Sequence, residues 1–157
     1  MPLQESTMDI QLKIGGRNLV MPTTCFCISS ITPYIVIDKT FTAGGKTNYV
    51  SIHKTEESTS QSPNPTFAPI KLKAADLCNS KLDQPIQFKL YNKVEDAPST
   101  LLGVVSKSIT ELVENKLVDF IDPVSGRVAG QMAIEELKVT EKPTMLMYIK
   151  SGWGISL

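Results

Sequence analysis

A chain of 157 residues with 16 Lys+Arg against 16 Asp+Glu has room for one domain and one core, and its formal charge of zero gives duplex nucleic acid no global charge to recognise. A hydrophobic content of 41% is too high for a disordered chain. The longest apolar runs, such as Leu101-Leu102-Gly103-Val104-Val105, stop far short of the ~20 residues that a membrane-spanning helix needs.

Met8-Asp9-Ile10-Gln11-Leu12-Lys13-Ile14 alternates apolar and polar, which predicts a half-buried strand ended by Gly15-Gly16. The uncharged stretch Asn18 to Thr32 predicts a long loop. Pro33 to Asp38 predicts a second strand, Ala43-Gly44-Gly45-Lys46 a turn, and Asn48 to Lys54 a third strand with Val50 and Ile52 on one face. A polar segment rich in Ser, Thr, Glu and Pro follows over 55–65. Phe67 to Lys73 predicts a fourth strand, in which Ile70 and Leu72 face opposite to Lys71 and Lys73.

Ala74 to Cys78 reads as a short helical turn. Pro85 to Tyr91 predicts a fifth strand with Ile86, Phe88 and Leu90 inward and Gln87 and Lys89 outward. After a polar loop, Leu101 to Val105 predicts a sixth. Ser108 and Glu111 stand three apart at the start of a helical pattern that ends at Glu114, a capping box. Lys116 to Ile121 predicts a strand and Asp122 to Gly126 a turn; Gly130 to Val139, through Met132, Ile134, Leu137 and Val139, passes for strand or helix by periodicity, and its position at the end of a β run favours a last strand. Short strands joined by Pro, Gly, Ser and Asn loops predict an all-β fold, an antiparallel β-sandwich with one short helix.

The N-terminus has no basic segment with an apolar segment behind it, so it does not read as a secretory signal. Three cysteines, Cys25, Cys27 and Cys78, without a dense framework fit a reducing compartment. Cys25-x-Cys27 is one residue tighter than the usual zinc hook and no second pair follows, so no zinc site is expected. His53 is the one histidine, with no apparent acid or nucleophile partner. No phosphate loop, nucleotide fingerprint or nucleophile elbow is present, and the chain is not expected to be an enzyme.

Asn64-Pro65-Thr66-Phe67 resembles the Asn-Pro-x-aromatic element that enters the fourth strand of C2 domains. Gly16-Arg17-Asn18-Leu19 resembles their turn after the first strand, Thr32-Pro33-Tyr34-Ile35-Val36 their Asp-Pro-Tyr-Val strand entry, and Leu101-Leu102-Gly103 the Leu-Ile-Gly opening of their sixth strand. His53-Lys54-Thr55-Glu56, Pro69 and Leu77-Cys78-Asn79 narrow the resemblance to the second C2 domain of copines. The tail from Met147 to Leu157 resembles the lead into the von Willebrand A-type domain that follows it there. The resemblance implies an eight-stranded antiparallel C2-type β-sandwich over residues 1–142. It also implies that residues 143–157 are a tail leading to an absent A-type domain, so that the chain is a fragment of a longer protein.

The resemblance also implies where calcium would sit. C2 domains hold Ca²⁺ with several carboxylates from two loops at one end of the sandwich, because Ca²⁺ takes roughly 6–8 oxygen ligands and its affinity follows the number of charged ones. Here the family's acidic positions fall on Phe26 and Thr32 in the first loop and on Asn92, Val94, Asp96 and Thr100 in the third; Asp96 alone is an acid. The whole stretch from Asn18 to Pro33 has none. No bound metal or other cofactor is therefore expected, although calcium is the family's ion.

Two features offer other routes to a ligand. From Lys39 to Lys73 there are five bases against two acids. Lys71 and Lys73 share a face of the fourth strand, His53 lies on the neighbouring strand, and Lys46 and Lys54 extend the basic set. C2 domains often meet anionic lipid with such a face; the alternative is an ordinary solvated sheet. The apolar first loop, with Phe26 and Ile28 at its tip, would dip into head groups or dock a protein if exposed; the alternative is that it folds back over the sandwich end. The expected function is a non-enzymatic, copine-like C2 module that associates with anionic phospholipid membranes and with adjacent copine domains, not with nucleic acid. Its expected place is the cytoplasm, peripheral to the inner plasma membrane or endosomes. The runner-up is a calcium-independent protein-interaction or scaffolding module that does not bind lipid.

Overall fold

The computed structural model of the protein describes residues 6–20, 23–24, 27–28, 31–59 and 62–143. The described strands are β1 (Ser6–Arg17), β2 (Thr23–Thr24), β3 (Cys27–Ile28), β4 (Pro33–Ala43), β5 (Lys46–Lys54), β6 (Ile70–Lys73), β7 (Ile86–Asn92), β8 (Thr100–Lys107), β9 (Leu117–Ile121) and β10 (Val128–Pro143). The helices among the described residues are α1 (Ala74–Cys78) and α2 (Ile109–Glu114), where the sequence predicted a helical turn and a short helix.

Eight strands form one antiparallel sheet in the order β5-β4-β7-β8-β9-β10-β1-β6, and β2 and β3 form a small hairpin of their own. β8 and β9 share one pair, Val104 with Ile121. At that seam the sheet folds over into two four-stranded layers. Alternation fills the space between them: Ile35, Ile37, Phe88 and Leu90 from one layer meet Ile10, Leu12, Phe120 and Met132 from the other in a single apolar cluster. Gly103 lies where the layers close. A Cβ there would stand 2.8 Å from the Cβ of Phe120 and 3.1 Å from that of Ala129.

Several boundaries differ from the sequence reading, each for a physical reason. β1 does not end at Gly15-Gly16; these residues pair with Ala133 and Met132 and the strand runs on to Arg17. The glycines serve close approach rather than a break, since a Cβ on Gly15 would be 2.6 Å from the carbonyl oxygen of Pro65. The stretch read as one loop contains the β2–β3 hairpin. The fourth predicted strand is shortened to Ile70–Lys73 because Pro69, just before it, has no N–H to give. Phe67 is still buried, its N–H donating to the Ile14 carbonyl at 3.0 Å.

β10 carries a one-residue bulge at Glu135, because Lys13 pairs with Glu136 while Ile14 pairs with Ile134. The bulge shifts the phase of the apolar residues from Met132 and Ile134 to Leu137. A second bulge at Ile52 separates it from Val50: Ile52 packs on the core and Val50 is exposed.

Between β5 and β6 the chain crosses from one layer to the other. Thr55 and Ser58 donate to the Ile35 and Pro33 carbonyls of β4, each at 2.9 Å; farther on, the Pro65 carbonyl accepts from Gly16 of β1 at 2.8 Å. β5 and β6 therefore form the two free edges of the folded sheet and are not hydrogen-bonded neighbours.

Candidate functional site

On β4, Ile35 and Ile37 point into the core, so Tyr34, Val36 and Asp38 take the other face. Register places Tyr34 opposite Tyr91 and Val36 opposite both Lys89 and Lys54. The tyrosine rings stack with centroids 5.4 Å apart and planes 15° from parallel. The Lys54 ammonium lies 4.4 Å from the centroid of Tyr34, and that of Lys89 lies 5.8 Å from Tyr91, both within cation–π range.

Carboxylates pair with these lysines. Asp38, almost fully buried, accepts from Ser51 at 2.8 Å and pairs with Lys89 Nζ at 2.8 Å. Burial pushes the pKa of Lys89 down, but the hydrogen bond and charge of Asp38, helped by Tyr91, outweigh it and hold the pKa above its ordinary value. Glu57 lies 3.4 Å from both Lys54 Nζ and Lys93 Nζ. The side chains of Lys54 and Lys93 stay about half exposed, at 53% and 52%. The arrangement is a stacked aromatic pair rimmed by three ammonium groups.

The loop end adjoins this patch. The N–H of Thr32 donates to Asn92 Oδ1 at 2.7 Å, and Lys93 N–H returns to the Thr32 carbonyl at 2.9 Å. Thr32 and Asn92, two positions that resemblance assigned to metal, thus clamp the loop that enters β4 to the end of β7. Asn92 is buried and register-paired with Thr100, Val94 is half-buried, and Asp96 sits exposed in a turn at φ 58°. Among the described residues no group of three His, Cys, Asp or Glu side chains is placed to hold a metal ion. This donor set does not fit Ca²⁺, which wants about 6–8 oxygens, several of them charged. Phe26 and the side chain of Ile28 lie outside the described residues, as does the tail from residue 144.

The basic set named from sequence lies on two strands that are not hydrogen-bonded neighbours. Lys71 and Lys73 share an exposed face, as alternation required. However, they lie on β6, against β1, whereas Lys46, His53 and Lys54 lie on β5 at the other free edge. Lys73 pairs with Asp9, and Asp9 with Thr140; Lys71 pairs with Gln11, and Gln11 with Lys138. Gln11 in turn donates to Glu136 at 3.1 Å, so acids and amides interleave with the bases. His53, opposite Ile37, is half-buried. Lys46 starts β5 at the Gly44-Gly45 turn, the far end of the strand from Lys54. Sequence reasoning missed Tyr34, Lys89, Tyr91 and Lys93. Their alternation, Lys89-x-Tyr91 against Tyr34-x-Val36, was visible, but the register that joins them was not.

No protein-family model matches the chain, and no curated protein sequence matches it significantly. Solved structures do. The chain is similar to the structure named BON1-C2B, at 18% identity and a TM-score of 0.67 over 85% of this chain and 92% of that one. It is similar to a C2 domain of plant extended synaptotagmin 1, at 11% identity and a TM-score of 0.56 over 90% and 98%. The calcium-bound C2 domains of extended synaptotagmin 2 match 96% of this chain and 51% of that one, at 14% identity and a TM-score of 0.52. At such identities the likeness shows the fold, and the fold is a C2-type β-sandwich.

Proposed function

We propose that this chain is a non-enzymatic, copine-like C2 module that binds anionic phospholipid membranes from the cytoplasmic side without calcium of its own. The observation that carries the reading is the Tyr34–Tyr91 stack rimmed by Lys54, Lys89 and Lys93. Tyr34 is buried beneath Lys54 and Tyr91 is half-buried, so the stack supports the lysines from below and only Tyr91 offers part of a ring to the head-group level, where one side is apolar and the other wet. Each ammonium near an anionic surface adds about 1 kcal/mol. Calcium independence is supported by the Thr32–Asn92 clamp and by the acid-free stretch from Asn18 to Pro33. Asp9 and Glu136 offset the Lys71–Lys73 face, as Asp38 offsets Lys89 and Glu57 offsets Lys54 and Lys93; the second basic face adds to the first. Among the described residues no helix is long and apolar enough to cross a membrane, which agrees with peripheral association. Adjacent copine domains are proposed as covalent neighbours beyond the tail.

Sedimentation with phosphatidylserine vesicles tests the reading. Binding that is lost at high salt, indifferent to Ca²⁺ and weakened by Lys54→Glu supports it. Binding that appears only with Ca²⁺ overturns the calcium-independent part. A second reading, protein docking without lipid, draws on the apolar groove lined by Val20, Leu101, Leu102, Val128 and Ala129; it predicts no vesicle binding under any condition.

A further inference from the structure

Glu57 stands apart from the other acids of the patch. It sits on the connector between β5 and β6, and the backbone beside it is fixed: Ser58 N–H donates to the Pro33 carbonyl and Thr55 N–H to the Ile35 carbonyl, both at 2.9 Å. The adjacent Glu56 has a structural duty, its carboxylate accepting from Ala68 N–H at 2.8 Å. Glu57 instead places one oxygen, Oε2, 3.4 Å from two ammonium groups that come from different strands: Lys54 at the end of β5 and Lys93 just past β7.

We propose that Glu57 is a built-in competitor: its carboxylate fills the seat between Lys54 and Lys93 that a phosphate of an anionic lipid surface takes on binding. The inference rests on the lipid-binding reading above and adds its regulation. An oxyanion between two lysines is interchangeable in kind, because an ammonium is a point charge with three rotatable donors and no shape preference of its own. Half-exposed pairs of this length hold weakly, so Glu57 is displaceable. Tethering gives it a high effective concentration at no translational cost, so a sparse or single anion loses to it. A membrane dense in phosphates supplies many anions at once and wins. The patch thereby gains a threshold in surface charge density, set by one acid.

The test uses the whole chain with phosphatidylcholine vesicles carrying graded phosphatidylserine. Glu57→Gln keeps the shape and removes the charge; it is expected to tighten binding about fivefold and to shift the midpoint to a lower phosphatidylserine fraction. Glu57→Asp keeps the charge but shortens the reach, and is expected to shift the same way by less. Glu56→Gln makes the same change in net charge away from the seat and is expected to leave the midpoint unmoved, with thermal unfolding of each variant confirming that it is folded. Glu57→Gln behaving as wild type, or Glu56→Gln matching it, overturns the competitor and leaves the lipid reading standing. Wild type and Glu57→Gln both failing to bind at low salt overturns the lipid reading itself. Loss of wild-type vesicle binding in low-millimolar inorganic phosphate at constant ionic strength shows that a single free anion displaces Glu57, and overturns the threshold in surface charge density.

Discussion

Asn92 holds two elements together through one atom. Its Oδ1 holds the Thr32 N–H at 2.7 Å in a buried setting. Asn92→Ala leaves that donor without its partner and is expected to cost about 1–3 kcal/mol in urea unfolding. Asn92→Asp keeps the acceptor, and thermal unfolding of that variant is expected to remain insensitive to Ca²⁺, since one added carboxylate beside Asp96 is still far from a full ligand set. His53 gives a pH dependence with a definite sign. Burial draws its pKa below the ordinary 6.5, with the charge of Glu56 opposing. The unfolded chain then takes up the proton first as pH falls. Its share of stability is complete above about 6.5 and is lost as pH falls through the folded value. His53→Gln is expected to lose less stability than wild type across that window in paired denaturant titrations. At this scale the sequence disclosed exposure and alternation, such as Lys71 and Lys73 outward on β6. It did not disclose which side chains meet across strands, because Tyr34 and Tyr91 lie far apart in the chain and only register stacks them.

Among the elements, α2 was the most legible, because its signal is local. Ser108 accepts from Glu111 N–H at 3.1 Å and Glu111 accepts from Ser108 N–H at 3.0 Å, the reciprocal cap read from two letters three apart. Ser108→Ala is expected to lower stability by about 1 kcal/mol in chemical unfolding. β7 was equally plain, since strict alternation survives in its burial from Ile86 to Asn92. β1 and β10 were harder. Gly15-Gly16 carries the letters of a turn but the geometry of a strand pressed against Pro65, and the bulge at Glu135 breaks the alternation of β10. That bulge has a use. It aims Glu135 at Arg17 and Thr66, whose hydrogen bonds, with the guanidinium charge, hold the carboxyl below its ordinary pKa against the upward push of burial. Gly103 was visible only as part of a motif, and its physical reason is the seam. Gly103→Ala is expected to destabilise by about 1–3 kcal/mol as Phe120 or Ala129 is forced aside, measured as a drop in melting temperature.

For the molecule as a whole, the neutral balance of 16 against 16 charges concealed two unlike edges. β5 ends at the aromatic patch through Lys54, and β6 carries Lys71 and Lys73 among acids and amides. Lys46 lies ~26 Å along β5 from Lys54 by strand rise, beyond the reach of about 8 Å that physiological salt allows a surface charge. Lys46→Glu is therefore expected to leave vesicle binding nearly unchanged while Lys54→Glu reduces it severalfold, in parallel sedimentation assays. The two-layer architecture was legible in the short strands and turn signals, whereas the placement of β5 and β6 in different layers was not, because it depends on a connector that crosses between them. The pairing of β1 with β10 along its length bears on synthesis. The contact of Gln11 with Glu136 spans 125 positions, so the ribosome delivers the first strand long before its main partner. At about 5–20 residues per second the wait is on the order of ten seconds. Through it, β1 has β6 but not β10 as a sheet neighbour, its apolar residues Ile10, Leu12 and Ile14 are incompletely covered, and nascent-chain chaperones have their window. β10 closes the sheet between β9 and β1, so a stop codon within it would yield not a smaller domain but an open sheet edge ready to pair with another chain.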